Sequence, residues 1–405
     1  MICISNIREL YTMVSEPDNR CGVIKDASLL IQDGRIEWMG AQKDQPWKFA
    51  VSRHIDAEQK IIVPGFIDCH THLIFAGDRC AEFYLRSKGT SYADILKAGG
   101  GIVSTMQAVR NASLEELVKL AEPRLSRMLA RGVTTIEAKT GYGLSLESEL
   151  KMLDVMRVLN AHGQVSIMGT FLGAHAFPPE YRERRALYVE HLIQDMLPAV
   201  KEHGFATFCD VFVEDGAFSV DDGRRILSRA KELGLLPRVH AEQLSRQGGA
   251  QLACEVEALS ASHLEHINFQ DIQALSNHGV VAEVLPVAQE FLGMKTLAPA
   301  RQMADAGVSI AIASDFNPGS AMCDDLLLAA RLGVTRCGLS CEEALAGITS
   351  NAAKALGRTD IGALSVGSRA DLCFLNSETP WHFFYDWSLN PVHLVMKAGV
   401  IVCAD

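Results

Sequence analysis

The sequence predicts an α/β fold, a TIM-like (β/α)8 barrel with a small β-sandwich domain built from both chain termini. The chain of 405 residues is long enough for a barrel with one appended domain. From about residue 61, short β-branched apolar runs alternate with amphipathic helical stretches, which is typical of parallel strands joined by helices. Both ends of the chain instead carry short β-like segments separated by turns.

Eight apolar runs are the predicted barrel strands, and they cover residues 61–67, 133–138, 165–172, 208–213, 236–239, 258–262, 280–285 and 308–313. Helical stretches lie between them, such as SLEELVKLAEPRLSRMLA after Ala112 and LESELKMLDVMRVLNAH after Ser145. Ser113 and Glu116 have the spacing of a capping box, which predicts a helix start. An open doubly wound sheet shows the same alternation and is the alternative, but eight strands over about 250 residues favour the closed barrel.

The two flanks are predicted to pair into one domain of residues 1–60 plus 362–405, with residues 61–361 forming the barrel domain. In the first flank, segments 27–31 and 35–39 enclose Asp33-Gly34, a dipeptide typical of β-hairpin turns. Helices between Cys323 and Leu356 are predicted to connect the barrel to this second domain.

The composition of the chain indicates which partners and which cell compartment to expect. The 49 acidic and 38 basic side chains give a net charge of −11, which opposes binding to phosphate backbones and to anionic lipid, so we expect neither nucleic acid nor membrane as a partner. We find no signal-peptide pattern and no charge-free apolar run of about 18 residues. The 11 cysteines are scattered without a CxxC pair, as expected of reduced thiols, so we expect a cytoplasmic protein.

Polar side chains follow the predicted strands at the end where a barrel builds its site. The segment DCHTH at 68–72 follows the first strand, and further side chains follow the third, fifth, sixth and eighth: His175, His240, His263 and Asp315. Residues two apart on an extended chain point the same way, so the two histidines of HxH can share one ion. An HxH pair alone is weak evidence for a metal site. Imidazoles and a carboxylate at the ends of separate strands, however, predict a site for zinc or another divalent ion such as iron.

These residues resemble the amidohydrolase superfamily, through PGFIDCHTH at 64–72, the aspartate at Asp315 and GALSVGSRADLCFL at 362–375. Seven further motifs are similar to one branch of it: AGDR at 76–79, KAGGGIVST at 97–105, KTGYGL at 139–144, FLGAHA at 171–176, HAEQL at 240–244, LSASHLEH at 259–266 and SDFNPGS at 314–320. The resemblance implies a hydrolase acting on a cyclic amide, which converts 4-imidazolone-5-propanoate to N-formimino-L-glutamate in histidine degradation. Segment 284–295 is less aromatic than the resemblance leads us to expect.

The resemblance also implies a role for each matching position. One divalent ion per chain, zinc or iron, would be held by His70, His72, His240 and Asp315. Proton transfer would fall to His263 and Asp315. The small-molecule substrate would be held by Arg79, Tyr142, His175, Gln243, Asn317, Gly319 and Ser320. A homodimer is implied as well.

Some of these positions have a separate chemical argument and a simpler alternative. The Arg79 guanidinium, in a glycine-containing loop, could grip a carboxylate with two hydrogen bonds, although a surface arginine is the simpler interpretation. Tyr142 lies between two glycines that let the backbone turn and present the phenol, and a plain turn is the alternative. Residues 317–320, NPGS, are turn residues in any protein. The run Gly99-Gly100-Gly101 lacks the lysine of a phosphate-binding loop, so we predict an active-site loop.

Three other functions stay open. A two-metal cyclic amidase would need a carboxylated lysine after the fourth strand, whereas Lys139 follows the second and the fourth ends in Glu214-Asp215. A nucleobase deaminase shares the histidine and aspartate set, but the arginine loop and KTGYGL argue against it. A catalytically inactive scaffold would be expected to lose metal ligands, and the full set is present here.

Overall fold

A computed structural model describes residues 1–46, 50–90 and 100–404. Within these ranges the barrel strands, numbered here 1 to 8, are Phe66–Thr71, Val133–Lys139, Ser166–Ala174, Ala206–Val213, Leu236–Ala241, Ser260–His263, Val281–Val284 and Ile310–Ile312. Each strand pairs in parallel with the next along the chain. A bridge between Thr71 and Phe316 joins the first strand to the segment after the last. The predicted barrel is confirmed, because an open doubly wound sheet would reverse its strand order.

The terminal sheet contains strands from both ends of the chain: Ile2–Tyr11, Val23–Gln32, Arg35–Ala41, Arg53–Asp56, Ile61–Pro64, Leu372–Leu375, Val392–Lys397 and Val400–Ala404. All eight are hydrogen-bonded into one sheet with its own apolar core, which includes Ile4 and Phe374. Asp33 and Gly34 have φ of 50° and 76°, as a two-residue type I′ hairpin turn requires. A separate terminal domain is therefore present, as predicted.

The first predicted strand is wrong in its extent. Residues 61–67 are two strands, since Ile61–Pro64 belongs to the terminal sheet and the barrel begins at Phe66. Every residue from Ile61 to Thr71 is buried, so the apolar run continues across the break and its hydrophobicity does not mark it. The domain limits of 1–60 plus 362–405 and 61–361 stay a prediction, with the terminal sheet extending to Pro64.

Helices cover the outside of the barrel and link it to the terminal sheet. Their bounds are Cys80–Ser87, Ile102–Asn111, Leu114–Ala130, Leu146–Ala161, Arg185–His191, Leu197–His203, Val220–Glu232, Gly249–Glu255, Phe269–His278, Pro286–Leu292, Ala300–Asp305, Leu326–Thr335, Cys341–Gly347, Ser350–Ala355 and His382–Tyr385, with a π-helical turn at Leu192–Met196 and 3-10 turns at Gln42–Asp44 and Pro179–Tyr181. The predicted capping box at Ser113 and Glu116 is confirmed. No helix in the described ranges has both the length and the hydropathy needed to cross a bilayer. Of the predicted 99–101 loop, Gly99 lies outside the described residues.

Candidate active site

Three buried histidines meet at the carboxyl end of the barrel. His70 lies in strand 1, His72 follows it directly, and His240 lies in strand 5. The centroids of the His70 and His240 rings are 4.6 Å apart, and the ring of His72 lies 5.6 Å from the first and 5.7 Å from the second. One nitrogen of each ring lies within 4.8 Å of the others, which is the arrangement that a shared metal ion requires.

The chemical state of these imidazoles fits a cation. The Nε2 atoms of His70 and His240 are buried and have no hydrogen-bond partner among the described residues. Burial lowers the pKa of all three rings, to about 4 for His240, so they are neutral at pH 7. Burying an imidazole nitrogen without a hydrogen-bond partner costs free energy, and a bound metal ion would remove that cost. The neutral imidazole is also the form that binds a metal.

Asp315 adds a carboxylate to this group. Its Oδ1 lies 3.5 Å from His70 Nε2 and 3.5 Å from His72 Nε2. Burial raises the pKa of this carboxyl to about 7, and a cation beside it would favour the ionised form. The structure therefore brings together the four predicted ligands, three imidazoles and one carboxylate.

Two carboxylates behind the histidines fix their orientation. Glu283 Oε2 lies 3.1 Å from His70 Nδ1, and Asp210 Oδ2 lies 2.9 Å from His240 Nδ1. A proton on each Nδ1, shared with its carboxylate, leaves Nε2 free as a metal ligand. Arg238 pairs with Glu283 inside the barrel, so this carboxylate is not left as an isolated buried charge.

His263 stands beside this group. It is the last residue of strand 6 and has a φ of 74°, which an imidazole-bearing residue adopts only at some cost. Its ring centroid lies 5.4 Å from that of His240, and its Nδ1 lies 3.7 Å from Glu265 Oε1. Burial would lower the pKa of His263, but Glu265 raises it overall. This position suits proton transfer beside the ligand group.

A cavity opens directly above the histidines. It is lined by His72, Tyr142, His175, Phe212, His240, Gln243, His263, Asp315, Asn317 and Ser320. Nine of the twelve predicted metal, catalytic and substrate residues line this cavity, and the three that do not are His70, Arg79 and Gly319. Phe212 is the one lining residue that was not predicted from the sequence. Side chains alternate between the two faces of strand 4, but the sequence does not say which face lines the inside of the barrel.

Aromatic rings form one wall of the cavity. His175 stacks on His72 with ring centroids 5.1 Å apart and an angle of 21° between the planes, and Tyr142 lies 5.7 Å from His72. The loop that carries Tyr142 is held by Glu149, which accepts hydrogen bonds from the backbone N–H groups of Gly141, Gly143 and Leu144. The phenol is thus presented by a braced loop.

Arg79 and Gly319 lie close together, and Gly319 directly precedes Ser320, which lines the cavity. A Cβ atom on Gly319 would lie 2.5 Å from Arg79 Nη1, so only glycine leaves the guanidinium in its place. Burial raises the pKa of the Tyr142 hydroxyl, and the positive charge of Arg79 acts in the opposite direction.

Asn317 uses its side chain within its own turn. Its Oδ1 accepts hydrogen bonds of 2.8 Å from the N–H groups of both Gly319 and Ser320, and its Nδ2 donates to the carbonyl of Asp315 at 2.7 Å. This carboxamide therefore braces the segment after strand 8. The predicted contact of Asn317 with substrate stays a prediction.

The sequence model described as the amidohydrolase family matches residues 61–402. The chain belongs to the amidohydrolase family. It is 45% identical over 373 residues to the imidazolonepropionase of Myxococcus xanthus, covering 92% of this chain and 89% of that protein. It is 43% identical over 399 residues to the imidazolonepropionase of Shewanella sediminis, covering 98% of this chain and 97% of that protein. The resemblance inferred from the motifs is confirmed.

Solved structures share the fold of this amidohydrolase at much lower identity. The 5-methylcytosine deaminase of Klebsiella pneumoniae superimposes with a TM-score of 0.75 at 18% identity, covering 100% of this chain and 97% of that one. An adenosine deaminase of Xanthomonas campestris with bound zinc gives a TM-score of 0.72 at 16% identity, covering 99% and 92%. These likenesses support the barrel with its terminal sheet.

The buried Lys139 of this amidohydrolase argues against a two-metal site. It ends strand 2, and its Nζ lies 2.7 Å from Glu137 Oε1 and 3.0 Å from Asp210 Oδ2. Burial would lower the pKa of this amine, but the two carboxylates raise it overall. A charged ammonium held between carboxylates is not available for carboxylation, which needs a neutral amine.

The buried charged residues behind the ligands were not predicted from the sequence: Glu137, Asp210, Arg238, Glu283 and Glu265. A signal was present, because four of them are charged residues inside strands that are otherwise apolar. A charge in such a place needs a buried partner, although the sequence does not say which.

Proposed function

We propose that this chain is a metal-dependent hydrolase that opens the ring amide of 4-imidazolone-5-propanoate and releases N-formimino-L-glutamate, a step of histidine degradation. The observation that carries this proposal is the group of His70, His72, His240 and Asp315 beside a cavity, with Arg79 next to Gly319 close by. The two relatives named imidazolonepropionase support the choice of substrate.

We propose one divalent ion per chain, zinc or iron, bound by His70, His72, His240 and Asp315. Three imidazoles and a carboxylate accept either metal, and bound zinc in the deaminase of similar fold supports zinc. When bound, the ion supplies a water whose pKa is lowered from 15.7 towards about 7, and it polarises the carbonyl of the ring amide.

The side chains around the ion have separate tasks in this proposal. Asp315, which lies close to His70 and His72 and lines the cavity, accepts the proton of the attacking water and returns it to the ring nitrogen as the C–N bond breaks. His263 lies on the side of His240, where it assists this proton transfer or stabilises the oxygen on which negative charge develops. Asp210 and Glu283 keep the ligand imidazoles in the orientation that leaves Nε2 free.

The remaining residues of the cavity hold the substrate. Arg79, Tyr142 and His175 bind the carboxylate of the propionate tail, because they place a cation, a phenol and an imidazole on one side of the cavity. Gln243 and Ser320 hydrogen-bond the ring. Gly319 leaves room for the guanidinium, and Asn317 holds the turn that contains it.

The direct test is to mix the purified protein with 4-imidazolone-5-propanoate and follow the loss of ring absorbance together with the formation of N-formimino-L-glutamate. Elemental analysis is expected to find about one divalent ion per chain, and His70→Ala is expected to lose the ion and the activity while the barrel stays folded. Two tightly bound ions, or release of ammonia from cytosine or adenine with no turnover of the imidazolone, would contradict the proposal.

Substrate orientation has its own test. Arg79→Met is expected to raise KM and to lower kcat/KM by a factor that corresponds to about 2–4 kcal/mol of lost transition-state stabilisation, because the carboxylate is then buried without its cation. A ring analogue without the carboxylate is expected to be a poor substrate for the parent enzyme and to lose little more with the variant. Equal losses for both substrates would show that Arg79 acts elsewhere.

We also propose that the protein acts as a cytoplasmic homodimer on a small molecule, with neither nucleic acid nor membrane as a partner. The net charge of −11 supports the last point, and the superfamily resemblance supports the dimer. Sedimentation of the purified protein at micromolar concentration tests the assembly, and a monomer would contradict it.

A further inference from the structure

Glu82 is a carboxylate paired with Arg79, and the proposed function gives it no task. Its Oε2 accepts a hydrogen bond of 2.8 Å from Arg79 Nε and lies 2.8 Å from Arg79 Nη2. Its Oε1 accepts from the backbone N–H of Gly101 at 2.9 Å and from the hydroxyl of Ser104 at 3.3 Å. Both oxygens are thus used, and the Glu82 side chain is only 16% exposed.

Only one edge of the Arg79 guanidinium contacts Glu82. The Nε and Nη2 edge is held by Glu82, whereas Nη1 points to Gly319, next to Ser320 in the wall of the cavity. A guanidinium is a planar and rigid group, so fixing one edge fixes the direction of the other end. Glu82 is itself held in place, because Gly101 is the N-cap of the helix Ile102–Asn111 and Ser104 lies in its first turn.

We propose that Glu82 is a positioning residue for the carboxylate of the substrate. It holds Arg79 by one edge so that the Nη1 end is presented towards Gly319 in a single orientation. This inference rests on the proposed function, in which Arg79 binds the propionate tail.

Charge and position act in opposite directions here, which makes the inference testable. Glu82 is an anion close to the place where the anionic tail binds, so on charge alone its neutralisation would strengthen substrate binding. If Glu82 acts by positioning, its neutralisation frees the guanidinium and weakens binding, because ordering Arg79 then costs conformational entropy on each binding event. The sign of the change in KM therefore separates the two effects.

The experiment compares Glu82→Gln and Glu82→Asp with the parent holoenzyme. Glutamine keeps the size and removes the charge, while aspartate keeps the charge and shortens the reach. Both variants are expected to raise KM for 4-imidazolone-5-propanoate by about tenfold with kcat within about twofold, and to leave metal content and Tm unchanged. The same ring with a methyl group in place of the propionate is expected to show no change in kcat/KM.

Glu343→Gln is the matched control. Glu343 accepts hydrogen bonds from Arg301 at 2.7 Å and from the backbone N–H of Ser340 at 2.8 Å at the start of another helix, Cys341–Gly347, and it does not line the cavity. The Glu343–Arg301 pair is another arginine held by a glutamate, but it does not line the cavity. Glu343→Gln is therefore expected to leave KM for both substrates unchanged.

Three results would overturn the inference. A lower KM for Glu82→Gln would mean that Glu82 repels the tail, and equal losses with both substrates would mean a general structural role. Unchanged KM in both Glu82 variants, while Arg79→Met still discriminates between the substrates, would refute the role of Glu82 and leave the proposed function intact. If Arg79→Met itself does not discriminate, the proposed tail contact fails first.

Discussion

Gly319→Ala displaces Arg79 without removing it. The added Cβ would lie 2.5 Å from Arg79 Nη1 and 3.2 Å from its Cζ, whereas unbonded heavy atoms normally approach to about 3.5 Å. The guanidinium must therefore move by about 1 Å. A displacement of about 1 Å in a binding group costs about 10²-fold in rate, or about 2.7 kcal/mol. We expect kcat/KM for 4-imidazolone-5-propanoate to fall by about that factor.

The same geometry predicts that stability is spared. The atom that the new methyl group meets is the mobile end of a side chain, so we expect Tm to stay within about 2 °C of the parent. Initial rates with the propionate substrate and with its methyl analogue measure the effect, and only the first is expected to fall. In the Arg79→Met background the alanine has nothing to displace, so a further loss of the same size in the double variant would refute the reasoning.

Three further predictions follow from the site and its surroundings. His263→Asn is expected to keep its metal and to lose a factor of about 10² to 10⁴ in kcat, and elemental analysis showing a metal-free variant would make His263 a ligand instead. Asp210→Asn is expected to weaken metal binding by about 10- to 100-fold in competition with a chelator, because His240 Nδ1 loses the carboxylate 2.9 Å away, and an unchanged affinity would contradict that role. The pKa of Asp271 is lowered, since hydrogen bonds from Arg246 outweigh the effect of burial, so its carboxylate stabilises the fold above the unfolded pKa and less as pH falls through the folded one. Asp271→Asn is accordingly expected to lower Tm by roughly 2 to 4 °C at pH 7, and a difference from the parent that persists undiminished to about pH 2 would be inconsistent with this.

The barrel and the residues at its carboxyl end could be predicted because both depend on local sequence. Apolar runs mark the strands, and a polar residue just after such a run must lie at one end of the barrel. His70, His240 and Asp315 are far apart in the chain and still meet, since eight parallel strands bring their ends together. The break at Gly65 was not predicted, because buried apolar residues continue on both sides of it from Ile61 to Ile67, although Pro64-Gly65 is a dipeptide typical of turns.

Pairing across the barrel could not be predicted from the sequence. Asp210 faces His240 between the adjacent strands 4 and 5, and Glu283 in strand 7 faces His70 in strand 1. The first contact depends on strand register and the second on closure of the barrel, and the sequence states neither. The turn at Asn317 shows a different limit: an asparagine that binds its own backbone and one that binds a ligand look the same in a sequence. The metal, catalytic and substrate roles of these residues stay predictions for the variants above to test.

The terminal sheet imposes an order of events on a newly synthesised chain. Strand Ile61–Pro64 pairs on one side with Ile2–Tyr11 and on the other with Leu372–Leu375. A ribosome that adds about 5–20 residues per second takes roughly 15 to 60 s to cover the intervening 300 or so residues. Throughout that interval the second edge of Ile61–Pro64 exposes backbone groups that can pair with the wrong strand. This edge can close only after residues 372–375 have been synthesised, so mispairing at Ile61–Pro64 is a hazard for as long as that takes.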